Sequence, residues 1–359
     1  MKAQLIYNKA ERVRDVLRYI SRFKNSIIVI HIDDSLVDSP FYSSHIRDIA
    51  YLHEVGLKVI IVPGAKKHID TLLNNAGLQW KEIDGIRITS EKEMSIIKMA
   101  SFDMSNKIMT SLAEEHLTAV IGNWVKARGK GVINGIDFQS AGEIDKINIP
   151  ALNAILEEGF IPIFPCIGWS SNGKPYNISS INLAAQVATE LKAEKLFFLT
   201  HGKQISNEDF FIPDNISISP DGFVPAFSLE ELDAFLELNE NLGNFSIEKK
   251  HIINLLKIAK TSCSLGVYRT HIVSGLFDGT LPCEIFSDLG SGTMIYQNNY
   301  GGIRTMEKED IPAVLNLIRP FVEQGILLPR TEESLLQNYN EYIVYELDGG
   351  LKACAALHF

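Results

Sequence analysis

A few groupings of residues in this chain could do chemistry, and each is incomplete by itself. His31-Ile-Asp-Asp-Ser35 follows a β-branched apolar run, where an α/β protein often holds a phosphate. A phosphate loop needs glycines, so that backbone N–H groups can approach the anion, and usually a lysine. This loop offers Asp33 and Asp34, which repel a triphosphate, so a helix cap or solvated turn is the plainer reading. Val62-Pro-Gly-Ala-Lys-Lys67 ends a second run. Gly64 and the two lysines could hold an anion at a helix N-terminus, or form an ordinary turn. Arg87, in Gly85-Ile-Arg-Ile-Thr89, could grip a carboxylate in bidentate fashion or join a surface ion pair. Asn177, in Lys174-Pro-Tyr-Asn-Ile-Ser-Ser180, fits a helix N-cap with Ser179 and Ser180 as well as it fits a site. The nine histidines show no HExxH spacing and the four cysteines no CxxC, so no metal is expected. No Gly-x-Ser-x-Gly elbow occurs.

These residues need elements to position them. Ser26–Ile32 and Leu57–Val62 are short β-branched runs, the mark of strands buried on both faces. Leu117–Ile121, Phe160–Phe164 and Lys195–Thr200 read the same way. Between them, helical spacing appears over Arg12–Phe23, Pro40–Val55, Lys67–Asn75, Leu152–Glu158 and Ser180–Leu191, several closed by a glycine. Strands alternating with helices imply a largely parallel sheet covered on both faces. Segment 202–250 is less regular, Ile247–Ala259 returns to helix, and Leu276–Met294 has the look of a hairpin around Ser287-Asp-Leu-Gly-Ser-Gly292. The Asn/Gly-rich stretch 296–302 reads as a linker. Beyond it come helices over Asp310–Phe321 and Glu332–Tyr339. Two strands, Tyr342–Glu346 and Leu351–Leu357, are joined at Asp348-Gly-Gly350.

At 359 residues the chain has room for two domains. Its net charge of −10 gives no general pull toward nucleic acid or anionic lipid. The scattered cysteines suit a reducing cytoplasm. The N-terminus has no continuous apolar stretch of the signal-peptide kind, and no apolar run approaches a membrane span.

Taken in order, the segments resemble the amino-acid kinase fold. The likeness runs through YISRFKNSIIVIHI, DIAYLHEVGLKVIIVPGAKKHID, GIRITSEKEMSIIKMA, AVIGNWVKARGKGVINGIDFQSAGEIDKI, GKPYNISSINLAAQVATELKAEKLFFLT, DGTLPCEIFSDLGSGTMI and IRTMEKEDIPAVLNLIRPFVEQGIL. The nearest likeness is to the N-acetylglutamate kinase branch, and within it to the bacterial N-acetylglutamate synthase family. There a kinase-like domain precedes a GNAT acetyltransferase domain. The resemblance implies a three-layer αβα sandwich with a mostly parallel open sheet over 1–296, and a partial α+β GNAT domain over 302–359. The implied reaction is acetyl transfer from acetyl-CoA to the α-amino group of L-glutamate, which opens arginine biosynthesis.

Kinase chemistry is not expected. A family kinase has Lys-x-Gly-Gly where this chain has His31-Ile-Asp-Asp34, an aspartate where it has Ile181, and Thr-Asp where it has Thr200-His201. Those groups position and neutralise phosphates. In arginine-regulated members this domain senses L-arginine, and by that resemblance Tyr19 and Glu284 are the sensing residues, with Gly290 and Gly292 allowing close approach. Read as residues alone, Tyr19 is a half-buried helix position and Glu284 a strand-edge charge. Gly64, Arg87 and Asn177 match the kinases' acyl-amino-acid pocket. Leu328 and Arg330 match the synthases' glutamate site, and Cys354 lies on the strand flanking it. The acetyl-CoA loop of a GNAT domain is not found in the 58 residues after Gly301, so this chain is expected to be incomplete or inactive in catalysis. Two other readings stand beside the synthase: a catalytically dead arginine-binding regulatory module, and a small-molecule kinase with a degraded loop. The resemblance also implies a homo-oligomer.

Overall fold

The structure is a computed structural model that describes residues 10–356 apart from 11, 12, 15, 18, 243–244, 287–289, 298–300 and 348–349. It divides into two compact units, Met1–Gln297 and Asn298–Phe359.

The first unit is built on an eight-stranded sheet. Ile27–Ile32 lies at its centre, parallel to Lys58–Pro63 on one side and Lys195–Thr200 on the other. Ile161–Ile163 and Ala119–Ile121 continue it beyond Lys58–Pro63, in parallel. On the other side Arg269–Ser274 is parallel to Lys195–Thr200, whereas Thr293–Tyr296 runs antiparallel and Ala226–Ser228 follows it. The sheet is therefore mostly parallel and open, as expected.

The period-2 alternation of a strand divides its side chains between two cores. Val29, Ile60, Val62, Leu196 and Phe198 pack with helices Ile149–Glu157, Ser180–Glu190 and Ile247–Ser264. Ile28, Ile30, Ile32, Val59, Ile61, Phe197 and Leu199 pack on the other face with helices Tyr42–Glu54 and Thr280–Phe286 and the end of Glu91–Glu114. Each fully buried side chain of this size is worth about 1.5–3 kcal/mol over its exposed state. That explains why both faces of the central strands are apolar. Of the helix expected over 12–23, residues 13, 14, 16, 17 and 19–23 are described, and all are helical.

The second unit has the antiparallel sheet Gly301–Thr305, Tyr342–Leu347 and Gly350–Ala356. Its core is Met306, Ile311, Val314, Leu335, Tyr342 and Val344. Helices Ile311–Glu323 and Glu332–Asn338 supply three of these. The turn expected at 348–349 lies outside the described residues.

Two expectations are corrected. Leu276–Met294 is not a hairpin: Thr280–Phe286 is a helix, and among the described residues only Thr293–Tyr296 is a strand. Leu281 and Ile285, four apart, share its buried face, and Pro282 sits in its first turn, where proline is tolerated. Within the stretch read as irregular, Leu229–Leu242 is a helix. Its start is fixed by reciprocal bonds: Glu231 N donates to Ser228 Oγ at 3.2 Å and Ser228 N to Glu231 Oε2 at 2.8 Å. That Ser-x-x-Glu box is a readable signal.

Candidate functional site

The carboxyl ends of Ile27–Ile32, Lys58–Pro63 and Lys195–Thr200 meet where ligands bind in open α/β sheets. The structure fills this place with the chain's own groups. Asp33 caps a 3₁₀ turn, Asp34–Asp38, by accepting from Ser35 N at 2.8 Å, so the cap reading holds. Asp34 turns inward, and its Oδ2 accepts from His68 N at 2.9 Å at the N-terminus of helix Lys66–Asn75. The anion position expected beside Gly64, Lys66 and Lys67 is thus taken by an internal carboxylate. Gly64 permits the approach, since a Cβ there would stand 3.2 Å from Asp34 N. Burial pushes the Asp34 carboxyl above its usual range, the His68 N–H opposes this, and neighbouring Asp33 adds to it.

His31 stands near the end of the central strand, Ile27–Ile32. Its Nε2 lies 3.0 Å from Ser180 Oγ and its ring 5.8 Å from that of Phe198. Burial drives its pKa down to about 4, so the imidazole is neutral and supplies no cation.

Arg87 is buried, not a surface ion pair. It lies over Trp80 at 4.6 Å, and its Nη2 donates to Asp70. Nη1 has no hydrogen-bond partner among the described residues. Asn177 is not a helix cap, because Ser179 caps the helix by accepting from Asn182 N at 3.3 Å. Asn177 instead donates from Nδ2 to Thr89 Oγ1 at 3.2 Å, two residues from Arg87. The strand–turn segments therefore bring Arg87 and Asn177 to one place, with Asp70 already on the guanidinium.

Glu284 is a buried residue of helix Thr280–Phe286, where a strand-edge position was expected. Its Oε2 accepts from Ser291 N at 2.6 Å and Gly292 N at 2.7 Å, and Oε1 lies 2.6 Å from His271 Nδ1. Gly290 makes this possible. Its φ of +64° suits glycine, and a Cβ there would stand 2.7 Å from Glu284 Oε2. Burial would raise the Glu284 carboxyl, but the His271 bond and the two backbone N–H groups together hold it below its ordinary range. Burial lowers His271 to about 4, against the pull of Glu284, so a neutral imidazole donates from Nδ1 to an ionised carboxylate. His271 stacks on Phe197 with centroids 4.6 Å apart. Its role was not anticipated, although a histidine inside the buried run Arg269–Ser274 is the kind of signal that could have shown it. Tyr19 is half-buried as expected, and its ring meets Phe286 edge-on at 6.4 Å, on the helix that carries Glu284. The geometry thus gathers Glu284, Gly290, Gly292 and His271, and sets Tyr19 against the same helix.

In the second unit, Leu328 and Arg330 lie on the exposed segment between the two helices, with Leu328 75% exposed. Cys354, opposite Val344 in the hairpin, packs against the unit's core, and burial raises its thiol. Arg304 ties the unit together: Nη1 and Nη2 donate to Asp310 at 2.6 and 2.9 Å, and Nε donates to Glu346 at 2.8 Å. Among the described residues no group of three His, Cys, Asp or Glu could hold a metal, and no helix is long and apolar enough to cross a membrane.

Comparison with known proteins fits this geometry. Residues 26–260 match the amino acid kinase family. The chain is 32% identical over 350 residues to an amino-acid acetyltransferase of Vibrio vulnificus, covering 95% of this chain and 76% of that protein. The N-acetylglutamate synthase of Neisseria gonorrhoeae with coenzyme A and L-arginine superposes with a TM-score of 0.81 at 30% identity, covering 98% of this chain and 79% of that one. The same enzyme with coenzyme A and N-acetyl-glutamate gives 0.70 at 31% identity, covering 98% and 78%.

Proposed function

Since the chain belongs to the amino acid kinase family, in its amino-acid acetyltransferase (N-acetylglutamate synthase) branch, we propose that it serves acetyl transfer from acetyl-CoA to the α-amino group of L-glutamate, under the control of L-arginine. In this reading residues 1–296 form the regulatory, kinase-like domain and 302–359 belong to the acetyltransferase domain. The observation that carries it is the fixed anion at Glu284. A carboxylate offers roughly four acceptor positions. Three are used by His271, Ser291 and Gly292, so the group is held in place, with a fourth that a guanidinium would take in this reading. Arginine's planar fork is suited to such a partner, and Tyr19 would close over it.

Asp34 and neutral His31 speak against phosphoryl transfer, because a triphosphate would meet carboxylates and no fixed cation. Asp70 stands where the substrate carboxylate of a kinase would meet Arg87, so the pocket of Gly64, Arg87 and Asn177 is a remnant in this reading. Glutamate is assigned to Leu328 and Arg330, whose guanidinium would hold a carboxylate. The transfer itself needs a deprotonated amine held near the thioester and a stabilised oxyanion. Assembly into a homo-oligomer belongs to the same proposal.

Thermal shift with arginine, acetyl-CoA, glutamate and ATP·Mg, each alone, tests it. Arginine should raise the melting temperature by ordinary linkage. Stabilisation by ATP·Mg alone would overturn the reading. Stabilisation by arginine without acetyl-CoA would favour a purely sensory module.

A further inference from the structure

The turn at 275–279 joins strand Arg269–Ser274, which carries His271, to helix Thr280–Phe286, which carries Glu284. It is pinned to helix Tyr42–Glu54 at two points. His45 Nε2 lies 2.9 Å from the Gly275 carbonyl oxygen, and Ser44 Oγ donates to Asp278 Oδ1. Asp48 stands four residues beyond Ser44, hence on the same helix face. Asp278, bonded to Ser44, lies near enough for its charge to act on Asp48. The Asp48 Oδ2 is buried and has no hydrogen-bond partner among the described residues.

We propose that Asp48 and Asp278 form a proton-operated latch between helix Tyr42–Glu54 and the turn that positions Glu284. Protonated Asp48 donates a hydrogen bond to Asp278 and holds the turn; ionised Asp48 repels it. The proton goes to and comes from solvent, and no other reactant is involved. Burial, then the charge of Asp278, hold the Asp48 carboxyl up at about 6, with Arg47 opposing. The other charged groups on elements packed around this helix are engaged elsewhere or solvated. Glu115 meets Arg47, Glu114 acts on Tyr42, Glu284 is bonded to His271, and Asp34 and Asp38 are bonded to His68 and Lys67. Lys58 starts the neighbouring strand, at its end away from the turn. The consequence for ligand response rests on the arginine reading: a held turn presents Glu284 ready-made, so arginine should bind more tightly below pH 6.

The test is Asp48→Asn, whose amide can donate to Asp278 at every pH. The sign follows from a folded-state pKa above the unfolded one: the wild-type contribution is fully present below about pH 4 and is lost as pH rises through about 6. The difference in melting temperature, Asp48→Asn minus wild type, should grow with pH and level off above about pH 6.5 at about 2–4 °C. Asp278→Asn should flatten the same difference, which guards against an unrelated effect of the first substitution. A difference that does not change with pH overturns the latch. The arginine-induced shift should be larger at pH 5.5 than at 7.5 in wild type and equal at both in Asp48→Asn; equal shifts in wild type would overturn the coupling. If the ligand-free curves behave as expected and arginine shifts neither protein, the arginine reading falls and the latch stands.

Discussion

Asp34 and Glu284 are both buried carboxylates that accept backbone N–H groups, one at each of two places where a ligand would be sought. Their pKa values move in opposite directions: that of Asp34 is raised and that of Glu284 lowered. The difference lies in the company each keeps. Asp34 has the N–H groups of a helix start but also Asp33 beside it. Glu284 has two N–H groups from a tight turn and an imidazole aimed at its other oxygen. Burial alone disfavours charge in both cases, and only a complete set of donors reverses that. The first carboxylate fills the helix start itself, whereas the second is maintained as an anion.

The largest expected effect is at Glu284. Glu284→Ala strands a buried neutral histidine and two N–H groups and should cost about 1–3 kcal/mol for each donor left unpaired in denaturant unfolding, with loss of the arginine-induced shift; a total cost under ~1 kcal/mol would erase the contrast with Asp34. Acid comes next. His31 and His271, both lowered to about 4 from the ordinary 6.5 of an imidazole, favour the folded state when neutral. That stability is present above about pH 6.5 and lost as pH falls through about 4, by up to roughly 3 kcal/mol for each. Denaturant midpoints that stay level from pH 7 to 4 would show that neither imidazole is held neutral by burial. Gly290→Ala forces a side chain into a left-handed turn against Glu284 Oε2 and should cost about 1–3 kcal/mol while weakening the arginine shift more than it weakens the fold. The smallest effect is at Asp34. Asp34→Asn keeps an acceptor for His68 N and removes a buried charge, so at pH 7 it should be neutral or stabilising by about 1 kcal/mol or less. A large loss there would make Asp34 a second Glu284.

The parallel core was legible because Ile27–Ile32, Lys58–Pro63 and Lys195–Thr200 each carry a near-continuous apolar run without alternation, the pattern of strands buried on both faces. The helix carrying Glu284 was not. Seven residues give too little period to tell helix from strand, and the turn-rich stretch after it invites a hairpin. Composition alone placed Glu284 at an edge; resemblance singled it out, and the fold supplied the reason, since His271 comes from a strand 13 residues earlier. The sequence leaves Arg87 open between a carboxylate grip and a surface pair because its cover, Trp80, and its partner, Asp70, belong to other segments. Polar residues at chain ends of strands were easy to find, but which of them satisfy one another is a matter of tertiary approach.

Asp34 has one more consequence. A free phosphate or carboxylate arriving at helix Lys66–Asn75 must displace a rival that is tethered two residues beyond a strand end. A short tether gives such a rival an effective concentration in the millimolar range or above. A diffusible anion that binds the bare helix end with only millimolar affinity therefore loses occupancy to the tethered carboxylate, and the position resists such anions without any gate having to close.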